Sequence, residues 1–296
     1  MQTKAGFVSI IGKPNVGKST LLNRLVGQKL AGVSARPQTT RQTIHGILTT
    51  PKGQIVFLDT PGIHAPKDHL GKRMMNAAKK THTEADLLFW MVLPAQPGPD
   101  EKRILADLLV SQRPIVLLVN KIDTVAKLEA LPVLDAYQKL HPFAALFPIS
   151  AATGDNVPEL VNKAFEFLPE NPILFPPDQV SDQTERFLAS EMIREKIFRL
   201  TGAEIPYASA VVINEFKERS ERLAVISATI FVEKASQKKI VIGKNCQMIK
   251  KIGEASRKAI ETFLGKKVFL ELWVKERENW KKDDSFLNQL EQGEGL

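Results

Sequence analysis

The chain has 296 residues, 43% of them apolar and 25% charged, which is the balance of a soluble globular protein with room for two cores. Its net charge of +8 favours an anionic partner, and its single cysteine excludes an internal disulfide and fits a reducing cytoplasm. The longest apolar run, over 85–95, is too short and too interrupted to span a bilayer, and the polar first six residues carry no signal-peptide pattern.

From residue 7 to about 168, short apolar runs alternate with amphipathic stretches. The runs predict strands over 7–11, 43–50, 55–59, 87–92, 115–120 and 146–149. The stretches predict helices over 19–26, 70–81, 100–111, 127–140 and 157–167. Continuous runs such as Ile115-Val116-Leu117-Leu118-Val119 suit strands buried on both faces. The expected fold is therefore α/β, a doubly wound and mostly parallel sheet whose ligand sits beyond the strand C-termini.

Four segments fall at those strand ends. Gly12-Lys13-Pro14-Asn15-Val16-Gly17-Lys18-Ser19 matches G-x-x-x-x-G-K-[ST] between a predicted strand and a predicted helix, and Thr20 continues it. Such a loop turns backbone N–H groups inward around phosphate oxygens. Lys18 would reach the β- and γ-phosphates, and the Ser19 hydroxyl would ligate Mg²⁺. Asp59-Thr60-Pro61-Gly62 closes the third strand; Asp59 is placed to hold Mg²⁺ through a water and the Gly62 N–H to meet a γ-phosphate. Alone, this segment is equally a common turn.

Asn120-Lys121-Ile122-Asp123 closes the fifth strand. The Asp123 carboxylate can accept from the N1–H and 2-amino group of guanine, a donor pair that adenine lacks. The Lys121 stem can cover the ring and Asn120 can tie the loop to the first one. After the sixth strand comes Ser150-Ala151, where the Ala151 N–H could bond guanine O6. Between the first helix and second strand, residues 32–42 contain Pro37-Gln38-Thr39-Thr40-Arg41 and no acidic residue. Such a loop suits ordering around Mg²⁺ and the γ-phosphate, with Thr40 as ligand and Thr39 as its alternative; a plain polar connector is the competing reading.

Residues 169–180 are proline-rich, as expected of a semi-rigid linker between a domain at 1–168 and one at 181–282. Beyond it the pattern predicts a helix over 185–201, strands over 207–218 and 223–232, joined by Glu218-Arg219-Ser220-Glu221, then helices over 236–242 and 247–264, and a strand over 267–274. Residues 234–267 carry ten Lys or Arg against Glu254 and Glu261, whereas 283–296 form an acidic tail. Trp280 has no reading from sequence.

Taken together, the phosphate, Asp59 and Asn120–Asp123 motifs resemble GTPases of the translation-factor-related class, and the 37–41 loop resembles the Era family. The order α-β-β-α-α-β, with Val241-Ile242-Gly243 and Ile249-Lys250-Lys251-Ile252-Gly253, resembles a smaller α+β type II KH domain. The resemblance covers essentially the whole chain. It implies slow hydrolysis of GTP to GDP with Mg²⁺, binding of the single-stranded 3′ end of 16S-type rRNA, and assistance in 30S subunit assembly. Lys18, Thr40 and Gly62 would carry the catalytic electrostatics. Ile63 stands where Ras-like GTPases have a water-orienting glutamine, so intrinsic turnover should be slow. Asn15 matches the asparagine that seats K⁺ against the phosphates in related GTPases.

KH domains clamp a nucleic-acid backbone against a G-x-x-G turn. Here the turn reads Gly243-Lys244-Asn245-Cys246, and the Cys246 side chain obstructs the close approach that glycine would allow. Lys244, Lys250 and Lys251 would compensate electrostatically. Family members also associate peripherally with the inner membrane, which makes a membrane-associated signalling GTPase the alternative function. A monomer is expected.

Overall fold

The computed structural model describes residues 3–34, 41–62, 69–202 and 204–292. The chain divides into two compact units, the first built in the main from residues up to Asp182 and the second from Gln183 onward.

In the first unit, β1 (Lys4–Ile11), β2 (Ile44–Thr50), β3 (Gly53–Asp59), β4 (Leu87–Val92), β5 (Ile115–Asn120) and β6 (Ala145–Ile149) form one sheet in the order β2-β3-β1-β4-β5-β6. Every pairing is parallel except β2 with β3. Helices α1 (Lys18–Val26), α2 (His69–Glu84), α3 (Pro99–Leu109), α4 (Lys127–Gln138) and α5 (Val157–Phe167) connect the strands. The central strands β4 and β5 are buried along their whole length, which is why their sequences are unbroken apolar runs. One core gathers Trp90, Ile104, Leu108, Leu117, Val119 and Tyr137 between sheet and helices. Segments 12–19, 59–62, 120–123 and 150–151 all lie at strand C-termini, where a doubly wound sheet places its ligand.

The proline-rich stretch after α5 is a belt laid along this unit. Ala5 N donates to Pro169 O and Asn171 N to Thr3 O. Gln54, fully buried on β3, accepts from Leu174 N and Phe175 N through Oε1 and donates to Phe175 O through Nε2, each at 2.9 Å. Phe175 packs on Ile47, Val56 and Leu58. The belt ends against β2, where Ile47 N donates to Val180 O, Ser181 Oγ to His45 O, and His45 Nδ1 lies 2.5 Å from Asp182. Proline suits such a path, because it holds an extended backbone and brings no N–H that needs a partner.

The second unit comprises α6 (Glu185–Leu200), a single turn α7 (Ile205–Ala208), β7 (Ser209–Ser220), β8 (Leu223–Val232), α8 (Ala235–Ile242), α9 (Gln247–Leu264), β9 (Lys267–Glu276) and α10 (Asp284–Gln292). Its sheet runs β7-β8-β9, antiparallel then parallel. The hairpin turn is shorter than the sequence suggests, because β7 continues to Ser220. Ile226, Ala228 and Ile230 alternate onto the face covered by α6 and α9, meeting Met192, Ile193, Ile252 and Ile260. The opposite face, at the β7 side, is closed by the acidic C-terminal stretch. Phe286 and Leu287 of α10 pack with Trp280 on Ala210, Val212 and Phe231, and Trp280 Nε1 donates to Ala208 O at 3.0 Å. Among the described residues no helix is long and apolar enough to cross a membrane.

Candidate nucleotide site and nucleic-acid interface

The loop from Gly12 to Gly17 joins β1 to α1. At Gly12 a Cβ would sit 2.3 Å from Met91 O, so only glycine lets the loop press against β4. Asn15 and Gly17 take positive φ, 64° and 107°. That wrapping leaves a concave run of backbone amides ending at the N-terminus of α1, a cradle shaped for an anion.

Lys18 is buried and reaches back along the loop, donating to Gly12 O at 3.1 Å and Lys13 O at 3.0 Å. Burial lowers its pKa to about 8, against the pull of Asp59. Its ammonium is therefore held in a place that costs free energy until an anion joins it. The Lys13 side chain turns the other way, to Glu101 Oε1 at 2.7 Å and Asp100 Oδ2 at 3.3 Å in the first turn of α3. Burial draws the Lys13 pKa down, but the two carboxylates outweigh it and leave it raised. Glu101 also accepts from Gly98 N, so one carboxylate ties the phosphate loop to the start of α3.

Ser19 Oγ donates to Asp59 Oδ2 at 2.8 Å, across the gap between α1 and the end of β3. A hydroxyl and a carboxylate in contact at the rim of an anion cradle are the oxygen donors that Mg²⁺ favours. Thr60 is buried with its hydroxyl on Ile10 O at 3.0 Å, so its side chain braces the sheet while its backbone passes the site. Pro61 and Gly62 follow, and the backbone at Gly62 lies against Pro14. Thr39, Thr40 and Ile63 lie outside the described residues.

Asn120 joins three motifs. Its Nδ2 donates to Val16 O at 2.7 Å and its Oδ1 accepts from Ala151 N at 2.9 Å. Lys121 then takes φ 67°, and Asp123 stands exposed in the short turn that follows. The Ala151 N–H, expected from sequence to face a base, is here given to Asn120. Ser150 is buried, and its hydroxyl accepts from Thr153 N. Pro14 and Val16 complete the loop, and Thr20 continues the first turn of α1. Glu101 was not legible as a partner of the loop, because nothing local in Pro99-Asp100-Glu101 points to residue 13; its only signal is an acidic first helical turn.

In the second unit the Gly243–Cys246 turn links α8 to α9. Gly243, Asn245 and Cys246 have φ of 73°, 52° and 59°. Cys246 thus adopts the left-handed backbone despite its Cβ, and the turn keeps its course at the cost of strain. Lys244, Asn245 and Cys246 are exposed, as are Lys250 and Lys251 on the first turns of α9. Cations and a helix N-terminus around one tight turn make a surface suited to a phosphate backbone.

A family model described as 50S ribosome-binding GTPase matches residues 7–121, and one described as KH domain matches residues 204–281. The chain is 45% identical to GTPase Era of Ruminiclostridium cellulolyticum over 98% of each chain. It is 48% identical to GTPase Era of Syntrophus aciditrophicus, over 97% of this chain and 94% of that one. Its structure superposes with a TM-score of 0.94, at 39% identity, on Era in complex with MgGDPNP and nucleotides 1506–1542 of 16S ribosomal RNA, covering 99% of this chain and 100% of that one. The same score and coverage hold for a variant of Aquifex aeolicus Era bound to GDP·AlF4⁻. Full-length identity at this level, over a nucleotide cradle and a basic helix-turn-helix surface joined in the same order, places the chain in the GTPase Era family.

Proposed function

We propose that this protein binds GTP in the Gly12–Ser19 cradle, hydrolyses it to GDP and phosphate, and uses its second unit to bind the single-stranded 3′ end of small-subunit rRNA during 30S assembly. The observation that carries the reading is the match, over 99% of the chain, to an Era structure holding both MgGDPNP and a 16S rRNA segment. The family description that mentions the 50S subunit rests on residues 7–121 alone, so it speaks for the GTPase unit and not for the RNA. Action in the cytoplasm accords with the single cysteine.

In the first unit we assign the roles as follows. Backbone amides of the loop and Gly62 surround the phosphates. Lys18, already aimed along the cradle, meets the charge that develops on the bridging oxygen as the γ-phosphoryl leaves. Ser19 and Asp59, with Thr40, would hold Mg²⁺, which neutralises phosphate charge. Water attacks the γ-phosphorus and its protons pass to solvent or phosphate. Residue 63 is isoleucine, so no glutamine orients that water from this position and turnover is slow. Asn120 fixes the base loop, Lys121 covers the ring and Asp123 selects guanine. In the second unit Gly243, Lys244, Asn245, Lys250 and Lys251 contact the RNA backbone.

Substitution of Asp123 tests the nucleotide reading. Asp123→Asn replaces two acceptors by a group that can donate, so GTP turnover at low concentration should fall by on the order of a hundredfold. Xanthosine triphosphate, with an oxygen at C2, should become the better substrate. Unchanged preference for GTP in steady-state assays would sink the assignment.

A further inference from the structure

Helix α1 carries Lys18 and Ser19 in its first turn and Arg24 in its last. Arg24 is exposed on the side chain, yet its guanidinium is committed: Nε donates to Ala151 O at 3.4 Å and Nη2 donates to Ala152 O. These are consecutive carbonyls of the loop after β6. Gly154 lies on the same guanidinium, with space for a Cβ at 3.6 Å from Nη1 and no closer. The loop is tied from inside by Gly154 N to Ser150 O at 2.8 Å and Thr153 N to Ser150 Oγ at 3.1 Å. Arg24, on another element, grips its outer carbonyls.

We propose that Arg24 is a positioning residue for guanine recognition. Two donors in a fixed fork hold the peptides on both sides of Ala152 in one orientation. With the Ala151 carbonyl turned onto Arg24 Nε, the trans peptide aims the Ala152 N–H to the opposite side, and the Ala151 N–H is taken by Asn120 Oδ1. No partner for the Ala152 N–H exists among the described residues, so this amide is available to the base oxygen O6. Helix α1 carries Lys18 at its start and Arg24 in its last turn, so one element reaches both the phosphate end and the base end of the site. Seating of the phosphates against Lys18 and registration of the 150–154 loop are thereby coupled through backbone, not through a side-chain chain of contacts. The inference rests on the guanine-site reading above.

The experiment compares the full-length protein with Arg24→Ala and Arg24→Lys, measuring dissociation constants for GDP and for 6-thio-GDP by displacement of a fluorescent guanine nucleotide at pH 7. Sulfur at C6 is a weak acceptor, whereas N1–H and the 2-amino group read by Asp123 are unchanged. The unaltered protein should prefer GDP. In Arg24→Ala the GDP affinity should fall by about 3- to 10-fold, the worth of one hydrogen bond, with little change for 6-thio-GDP, so the preference collapses. Arg24→Lys, which keeps one donor, should fall between. An Arg24→Ala protein that keeps the full GDP preference, or loses both ligands equally, overturns the positioning role. Failure of the unaltered protein to bind GDP would instead overturn the guanine-site reading itself, and this inference with it.

Discussion

Cys246 holds a left-handed backbone, φ 59° and ψ 19°, at the position that starts α9. An L-residue there carries a steric cost of about 1 kcal/mol that glycine does not. Replacing Cys246 by glycine should therefore stabilise the second unit by roughly 1 kcal/mol, read as a shift in its urea midpoint. It should also admit a phosphate closer to the turn. An unchanged or lower midpoint would mean that the thiol makes compensating contacts. The nucleotide motifs were legible at this scale because their chemistry is local. Residues 12–19 need only a strand before and a helix after, and Asn120 and Asp123 need only a strand end. Glu101, Arg24 and Gln54 were not legible, since each acts on a partner far away in sequence.

At the scale of elements, the strands and helices of the sheet were written in apolar runs and their interruptions, and boundaries moved by only a few residues. What sequence did not reveal is how the irregular stretches are held. Residues 169–180 read as a linker by composition, but Gln54 spends both amide groups on the belt's backbone. Removing it strips these part-buried peptide groups of their partner, at about 1 kcal/mol for each bond. Gln54→Leu should therefore let the amides of Leu174 and Phe175 exchange with deuterium faster by at least tenfold, with β5 amides unaffected. Equal exchange in both proteins would show that Phe175 packing alone holds the belt.

The acidic C-terminal stretch makes the same point. Its acidic composition gave no role for it in the sequence, but Phe286 and Leu287 recur on one face of α10 and bury on the sheet. Asp283 begins that helix. It accepts from Arg277 at 2.6 Å and from Phe286 N at 3.1 Å, and these bonds, Arg277 first, hold its carboxyl below the usual 3.8. A carboxyl with a lowered folded pKa stabilises the fold above its unfolded value, and that contribution is lost as pH falls through the folded value. Asp283→Ala should therefore destabilise the Trp280 environment at neutral pH. The difference from the unaltered protein should shrink below pH 3.8. Urea titrations followed by tryptophan fluorescence at several pH values would show it; a difference that persists in acid would point to packing and not to charge.

For the whole molecule, the excess positive charge is concentrated where an anion is to be met. Ten Lys or Arg lie within residues 234–267, around the turn that carries Lys244 and beside Lys250 and Lys251. Phosphate contacts of this kind make affinity fall steeply with salt. The central claim joins this surface to the nucleotide cradle, and it is tested most directly by the affinity of the full-length protein for a short single-stranded RNA copying the 3′ end of 16S rRNA. The measurement is made with Mg²⁺ and a non-hydrolysable GTP analogue, and again with GDP. Binding should be tight and salt-sensitive with the analogue, weaker with GDP, and lost when Lys244, Lys250 and Lys251 are together changed to alanine. Affinity no greater than for a scrambled RNA of equal length, in both nucleotide states, would contradict it.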